Sequence, residues 1–222
     1  MPKLYGYLAC PRSRMALVAA SEKGIDCSLQ AVASWDGLDK FPIFSKLHPF
    51  QKVPVLDHGG LRITEALAIL MYIETAFEGP PLVPEEPLAL ARMWEIISAT
   101  TSYAWSPWVQ ALAINRIIRP ISGEGADEAA IAAYLPEMCR VAEVIGGYLA
   151  AREEAFDLAD IVVAGALKYV TETPEWEEIA RSAPVLETWW NRTRLRPSIA
   201  AHMPNTDLKK RSNEYFARHM ET

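Results

Sequence analysis

Residues 79–87 read GPPLVPEEP, with four prolines and one glycine in nine positions, and this run constrains the fold more than any other feature. Proline removes a backbone donor and clashes with the preceding turn, so the segment continues neither a helix nor a central strand. It is expected to be a linker, and the chain differs on its two sides. Before it lie short strand-like runs, turn residues and two amphipathic helices. After it no β pattern recurs, and Ala-, Leu-, Ile- and Glu-rich tracts run over about 88–118, 126–152, 158–171 and 184–195. Charge divides at the same place. Residues 1–78 carry 8 Lys+Arg and 8 Asp+Glu, leaving 14 basic and 20 acidic side chains in 79–222, so the whole net charge of −6 falls in the second part. Two domains are expected, 1–78 and 88–222, drawing on a 50% hydrophobic content for their cores.

In the first domain, Lys3 to Leu8 reads as a strand and Pro11 to about Lys23 as a helix, with proline in its first turn and Gly24 closing it. Cys27 to Val32 alternates weakly as a second strand, and residues 34–52 read as a loop-rich stretch. Val53–Asp57 and Leu61–Ile63 flank His58-Gly59-Gly60, which predicts a hairpin because glycines supply positive φ. From Glu65 to Phe77, Ala66, Ile69, Leu70, Ile73 and Phe77 recur at helical spacing. The order is β-α-β-loop-β-β-α. The second domain reads as a helical bundle, in which Pro107 and Pro136 are expected to kink or split the first two tracts.

Composition excludes several functions. A charge of −6 argues against an electrostatic grip on nucleic acid or an anionic membrane. No uncharged apolar stretch of about 18 residues is present, and the start has no leader-like pattern, so neither membrane spanning nor export is expected. Cys10, Cys27 and Cys139 form no Cys-x-x-Cys pair and no metal-ligand spacing. An odd count of this kind suits a reducing, cytoplasmic compartment, with no metal.

Four short motifs carry the candidate chemistry. Cys10 precedes Pro11 at the strand-to-helix junction, where unpaired N–H groups and the positive end of the helix dipole stabilise a thiolate. It reads as a nucleophile or mixed-disulfide partner, or else as a small buried residue filling a corner. Cys27 and Cys139 read as core. Val53-Pro54 opens a strand just after a loop, where a cis bond would present the backbone of Val53 to an extended peptide, and the alternative is a trans proline starting an edge strand. Thr64-Glu65-Ala66 opens a helix whose orphan N–H groups suit a carboxylate or phosphate, with Glu65 able to meet an ammonium; an ordinary acidic helix start is the other reading. Asp157-Leu158-Ala159-Asp160 reads as a capping box, a folding role and not a catalytic pair.

Taken together, Cys-Pro-x-Ser-Arg (residues 10–14) after the first strand, Val53-Pro54 in HPFQKVPVL, Thr64-Glu65, Leu158-Ala159-Asp160 and RLRPSI at 194–199 resemble the cytosolic glutathione transferase superfamily along the whole chain, as an omega-, tau- or zeta-like or bacterial member. The resemblance implies a thioredoxin-like N-terminal domain (β-α-β-α-β-β-α) followed by an all-helical domain, and a cytoplasmic homodimer that uses glutathione as co-substrate in detoxification. It places Cys10 against the glutathione sulfur, where cysteine favours thiol transfer and a serine or tyrosine hydroxyl favours conjugation. Neither Tyr5 nor Tyr7 falls where tyrosine-type members hold theirs. By the same likeness Arg12, Val53 and Pro54 belong to the glutathione site, Lys40 or Lys52 attracts the glycyl carboxylate, and Glu65 with the N–H of Ala66 meets the γ-glutamyl end. Ala66 departs from the usual serine, and one lost charge-assisted hydrogen bond costs about 1.5–3 kcal/mol. The second substrate, a small apolar electrophile or a mixed disulfide, is expected between the domains, against Trp94, Tyr103, Trp105, Trp108 and Arg116. A non-catalytic ligand-binding or protein-interaction module is the competing reading, favoured by Ala66. A thioredoxin-like redox protein is disfavoured because no second cysteine lies three residues from Cys10.

Overall fold

The computed structural model describes residues 1–7, 9–31, 44–121, 123–152 and 155–203. The chain divides into two compact units, Met1–Leu82 and Val83–Thr222. In the first, β1 (Lys3–Gly6), α1 (Pro11–Glu22), β2 (Ser28–Ala31), α2 (Phe44–Leu47), β3 (Val55–His58), β4 (Leu61–Thr64) and α3 (Ala66–Ala76) follow in order. The sheet order is β2-β1-β3-β4, with β1 and β2 parallel and the other pairs antiparallel. This is the thioredoxin-like arrangement. α1 and α3 pack on each other, and α1 also packs on β1.

Local chemistry explains these elements. α1 begins with Pro11 at its first position and is followed by Gly24 at φ +69°, where a side chain would be strained. Gly6 lets α1 approach β1 closely: a Cβ there would sit 2.4 Å from Ser13 Oγ. Gly59 and Gly60, both at positive φ, turn the chain between β3 and β4, and the N–H of Gly60 donates to Asp57 Oδ1 at 3.2 Å. α1 is tied to the end of the unit by Lys23, whose Nζ lies 3.1 Å from Glu74 Oε2 and donates to the Gly79 carbonyl at 3.4 Å. Glu74 in turn accepts the N–H of Leu82 at 3.1 Å.

The second unit is helical. α4 (Pro87–Ala99) runs into a wider π-type segment, Thr100–Ile118, and ends in α5 (Arg119–Ile121). Then come α6 (Glu128–Ala150), α7 (Leu158–Leu167), a 3₁₀ turn (Val170–Glu172), α8 (Trp176–Ser182), α9 (Pro184–Thr193) and α10 (Pro197–His202). Pro87 opens α4, with Glu86 capping through the N–H groups of Leu88 and Ala89 at 3.0 and 2.7 Å. The expected splitting at prolines does not occur. Pro107 lies inside the π-type segment, whose wider turns differ from those a proline would break. Pro136 sits within the unbroken 23-residue α6. It is exposed, as is Ala132 four residues before, so water can satisfy the carbonyl that a proline leaves without a donor.

α7 is buried at every position and starts with the expected capping box. Asp157 accepts the N–H of Ala159 at 2.7 Å, and Asp160 accepts that of Asp157 at 2.9 Å. Arg152 bridges both carboxylates, and the indole N–H of Trp189 donates to Asp160 at 2.7 Å, which ties α7 to α9. No helix among the described residues is long and apolar enough to cross a membrane.

Candidate functional site

Strand register brings the sequence motifs of the first unit to one end of its sheet. Tyr5 of β1 pairs with Val55 of β3, and Val55 pairs with Thr64 of β4. Gly6 ends β1 four positions before Cys10, Val53-Pro54 immediately precedes β3, and Glu65 immediately follows β4. Three separate segments therefore converge, because β1 leaves the sheet where β3 enters and β4 leaves.

Cys10 is the N-cap of α1, with extended backbone and no capping bond from its side chain. Its N–H donates to the Tyr7 carbonyl at 3.0 Å and its carbonyl accepts the N–H of Arg14 at 3.1 Å, which fixes the thiol beside the first turn of the helix. No acidic side chain lies in that turn to oppose a thiolate. Cys10 is 6% exposed, and Arg12 beside it is half-buried. At Cys27, burial and, second, the neighbouring Asp26 push the thiol up to about 11, leaving it protonated and unreactive at neutral pH.

The Val53-Pro54 bond is cis, Pro54 is buried and Lys52 is exposed. The residue two before Val53, Gln51, holds φ at +51°, and Glu65 holds φ at +69°. Positive φ is uncommon for residues with a side chain and costs of order 1–3 kcal/mol. Among the described residues, both non-glycine residues in this conformation lie in the loops at this end of the sheet. At Glu65 the turn from β4 into α3 is sharp enough to leave the carboxylate 63% exposed while Ala66 is buried at 8%.

His48 was not foreseen in the sequence. It is 2% exposed, accepts the N–H of Phe50 on Nδ1 at 3.0 Å, and places Nε2 3.7 Å from Glu65 Oε1. Burial foremost, and Lys52 as well, lower its pKa against the opposing pull of Glu65, so the ring is neutral near pH 7. With Nδ1 accepting, the proton resides on Nε2. Only the positioning of α2 and β4 brings a histidine and a glutamate 17 positions apart into contact, and no sequence spacing signals it. Lys40 lies outside the described residues.

The expected side chains of the helical unit take different roles. Trp108 is fully buried and donates its indole N–H to the Met138 carbonyl at 3.2 Å, so it is a core residue of the π segment and α6 rather than a lining residue. Arg116 is committed to structure. Its guanidinium forms two bonds to Glu128, at 2.6 and 2.8 Å, and also binds Glu175. Glu128 first and Glu175 second hold its pKa above the ordinary arginine value. Tyr103 is 64% exposed and Trp105 half-buried. Among the described residues no cluster of His, Cys, Asp or Glu could hold a metal ion.

A thioredoxin-like sheet with a cysteine capping its first helix, a cis-proline before β3 and an acidic helix start after β4, followed by a helical unit, defines a glutathione transferase-type protein. Residues 2–75 match the family model described as "Glutathione S-transferase, N-terminal domain". Glutathione S-transferase F14 of Arabidopsis thaliana is 32% identical, covering 82% of this chain and 75% of its own, and glutathione S-transferase 4 of Zea mays is 26% identical, covering 91% and 93%. The chain belongs to the glutathione S-transferase family, as a glutathione transferase-like enzyme. Its relatives are plant phi-type proteins, which corrects the expectation of an omega-, tau- or zeta-like or bacterial member. Among solved structures, glutathione transferase F7 from Populus trichocarpa superposes with a TM-score of 0.82 at 23% identity, covering 91% of this chain and 97% of that one. Glutathione S-transferase I from mais, in complex with an atrazine glutathione conjugate, superposes at 0.80 with 23% identity over 92% and 99%.

Proposed function

We propose that the chain uses glutathione as co-substrate and transfers its thiol through Cys10. The observation that carries this reading is the convergence, by the Tyr5–Val55–Thr64 register, of a helix-capping cysteine with the Val53 backbone and Glu65. Val53 pairs with the cysteinyl backbone of glutathione as a neighbouring strand would. Lys52, with Lys40, attracts the glycyl carboxylate. Glu65 meets the γ-glutamyl ammonium, and the N–H of Ala66, at the start of α3, meets its carboxylate. Arg12 and Pro54 complete the shape of the pocket.

A cysteine at this point supports exchange between thiols and disulfides. The Cys10 thiolate attacks the glutathionyl sulfur of a mixed disulfide, forming a Cys10–glutathione disulfide and releasing the other thiolate, which takes up a proton. The thiolate of a second glutathione then attacks the bound glutathionyl sulfur, restoring Cys10 and releasing oxidised glutathione. Cys27, held protonated, takes no part as an internal resolving thiol. The second substrate is a small molecule, and the enzyme works as a cytoplasmic homodimer.

Mass spectrometry after exposure to oxidised glutathione tests the reading. One glutathione adduct is expected on the native chain, mapped to Cys10 and absent from Cys10→Ser. An unmodified Cys10 in reduced, glutathione-binding protein would remove thiol transfer and leave conjugation to an apolar electrophile.

A further inference from the structure

We propose that His48 is a positioning residue for glutathione, acting through Glu65; this rests on the reading of Glu65 as the partner of the γ-glutamyl ammonium. Glu65 occupies a strained backbone position at φ +69°, its side chain is 63% exposed, and no backbone cap bond fixes it. A carboxylate in that setting samples several rotamers, and ordering it on binding weakens affinity. His48 supplies the missing restraint from below. Its ring is 2% exposed and cannot swing, because Nδ1 is held by the N–H of Phe50 at 3.0 Å. That bond also directs the proton to Nε2, whose N–H faces Glu65 Oε1 across 3.7 Å. One imidazole thus links the loop three residues before Val53 to the start of α3, coordinating the two segments that grip opposite ends of the same tripeptide.

The chemistry needs both ring nitrogens. Asparagine at this position would keep an acceptor for Phe50, but its amide N–H group sits on a shorter side chain and does not reach the Nε2 position that faces Glu65, and phenylalanine would fill the space with neither acceptor nor donor. A residue that only filled the core would affect folding without caring which side chain stands at 65.

The test is a double-mutant cycle on binding of S-methylglutathione, which has no thiol to ionise or exchange, measured by calorimetry at pH 7 on the native chain, His48→Asn, Glu65→Gln and the double variant. His48→Asn is expected to raise Kd about three- to tenfold. In the Glu65→Gln background the same change is expected to have less than about a twofold effect, because the group it positions has lost its charge. His48→Phe provides a second variant, with the same loss of dependence on Glu65 expected. Equal effects of His48→Asn in both backgrounds would overturn the positioning role while leaving glutathione binding in place. Failure of the native chain itself to bind would instead remove the reading of Glu65, and the inference with it.

Discussion

At Ala66 a single methyl group stands at the helix start where the family resemblance leads one to expect a serine hydroxyl. The position is 8% exposed and opens α3, and Ala66→Ser adds a single oxygen there. A hydroxyl donating to the γ-glutamyl carboxylate is expected to tighten glutathione binding by about 1.5–3 kcal/mol, or roughly 10- to 150-fold in Kd. Calorimetry on the two proteins checks this, and an unchanged Kd would place the carboxylate elsewhere. Individual residues were unevenly legible. Cys10-Pro11 and the Val53-Pro54 bond stood out because their chemistry is local, a cap and a peptide isomer. His48 and the positive φ of Glu65 did not, because each is set by where another strand or helix happens to run. Trp108 and Arg116 show the converse: an aromatic and a cation on one helical tract look the same in sequence whether they line a pocket, fill a core or close an ion network.

Among the elements, those with strong local signals matched their expected places. α1 and α3 were legible from helical spacing and Gly24, and the hairpin from its two glycines. β3 starts two residues later than its hydrophobic run suggests, after the cis bond, and α8 and α10 are too short to show a period. α7 depends most on a specific constellation. Asp160 is 3% exposed and receives the N–H of Asp157, the Trp189 indole and Arg152. Asp160→Ala leaves those groups buried without an acceptor and is expected to cost about 3–5 kcal/mol in urea unfolding, whereas loss of an N-cap alone costs about 1 kcal/mol. Equal losses for Asp160→Ala and Asp157→Ala would contradict this account of α7.

The link between the π segment and α8 carries a pH dependence. Burial pushes the Glu175 carboxyl up, but its bonds to Arg116 outweigh this and leave it below the ordinary value of 4.5. A depressed carboxyl contributes stability in full above the unfolded value, and the contribution is lost as pH falls below 4.5 through the folded value. The acid limb of the stability curve is expected to flatten in Glu175→Gln, measured by thermal unfolding from pH 6 to 3. An identical limb in both proteins would show that other carboxyls set it.

For the whole molecule, exposed apolar side chains bear on assembly. Phe50 is 72% exposed, on the loop that leads to Val53, and Leu88 and Tyr103 of the helical unit are 62% and 64% exposed. Large apolar groups so open to water are natural contacts for a second copy. Light scattering is expected to give twice the 24.7 kDa chain mass, shifting toward the monomer in Phe50→Glu. A native monomer at micromolar concentration would remove the homodimer.

Calorimetry of glutathione against the reduced native chain and Glu65→Ala shows whether the three segments meeting at one end of the first unit's sheet form a glutathione site. Binding in the micromolar to low-millimolar range is expected for the native chain, weakened at least about tenfold by Glu65→Ala. No binding by the native chain up to about ten millimolar, a free energy weaker than about −3 kcal/mol, would contradict it.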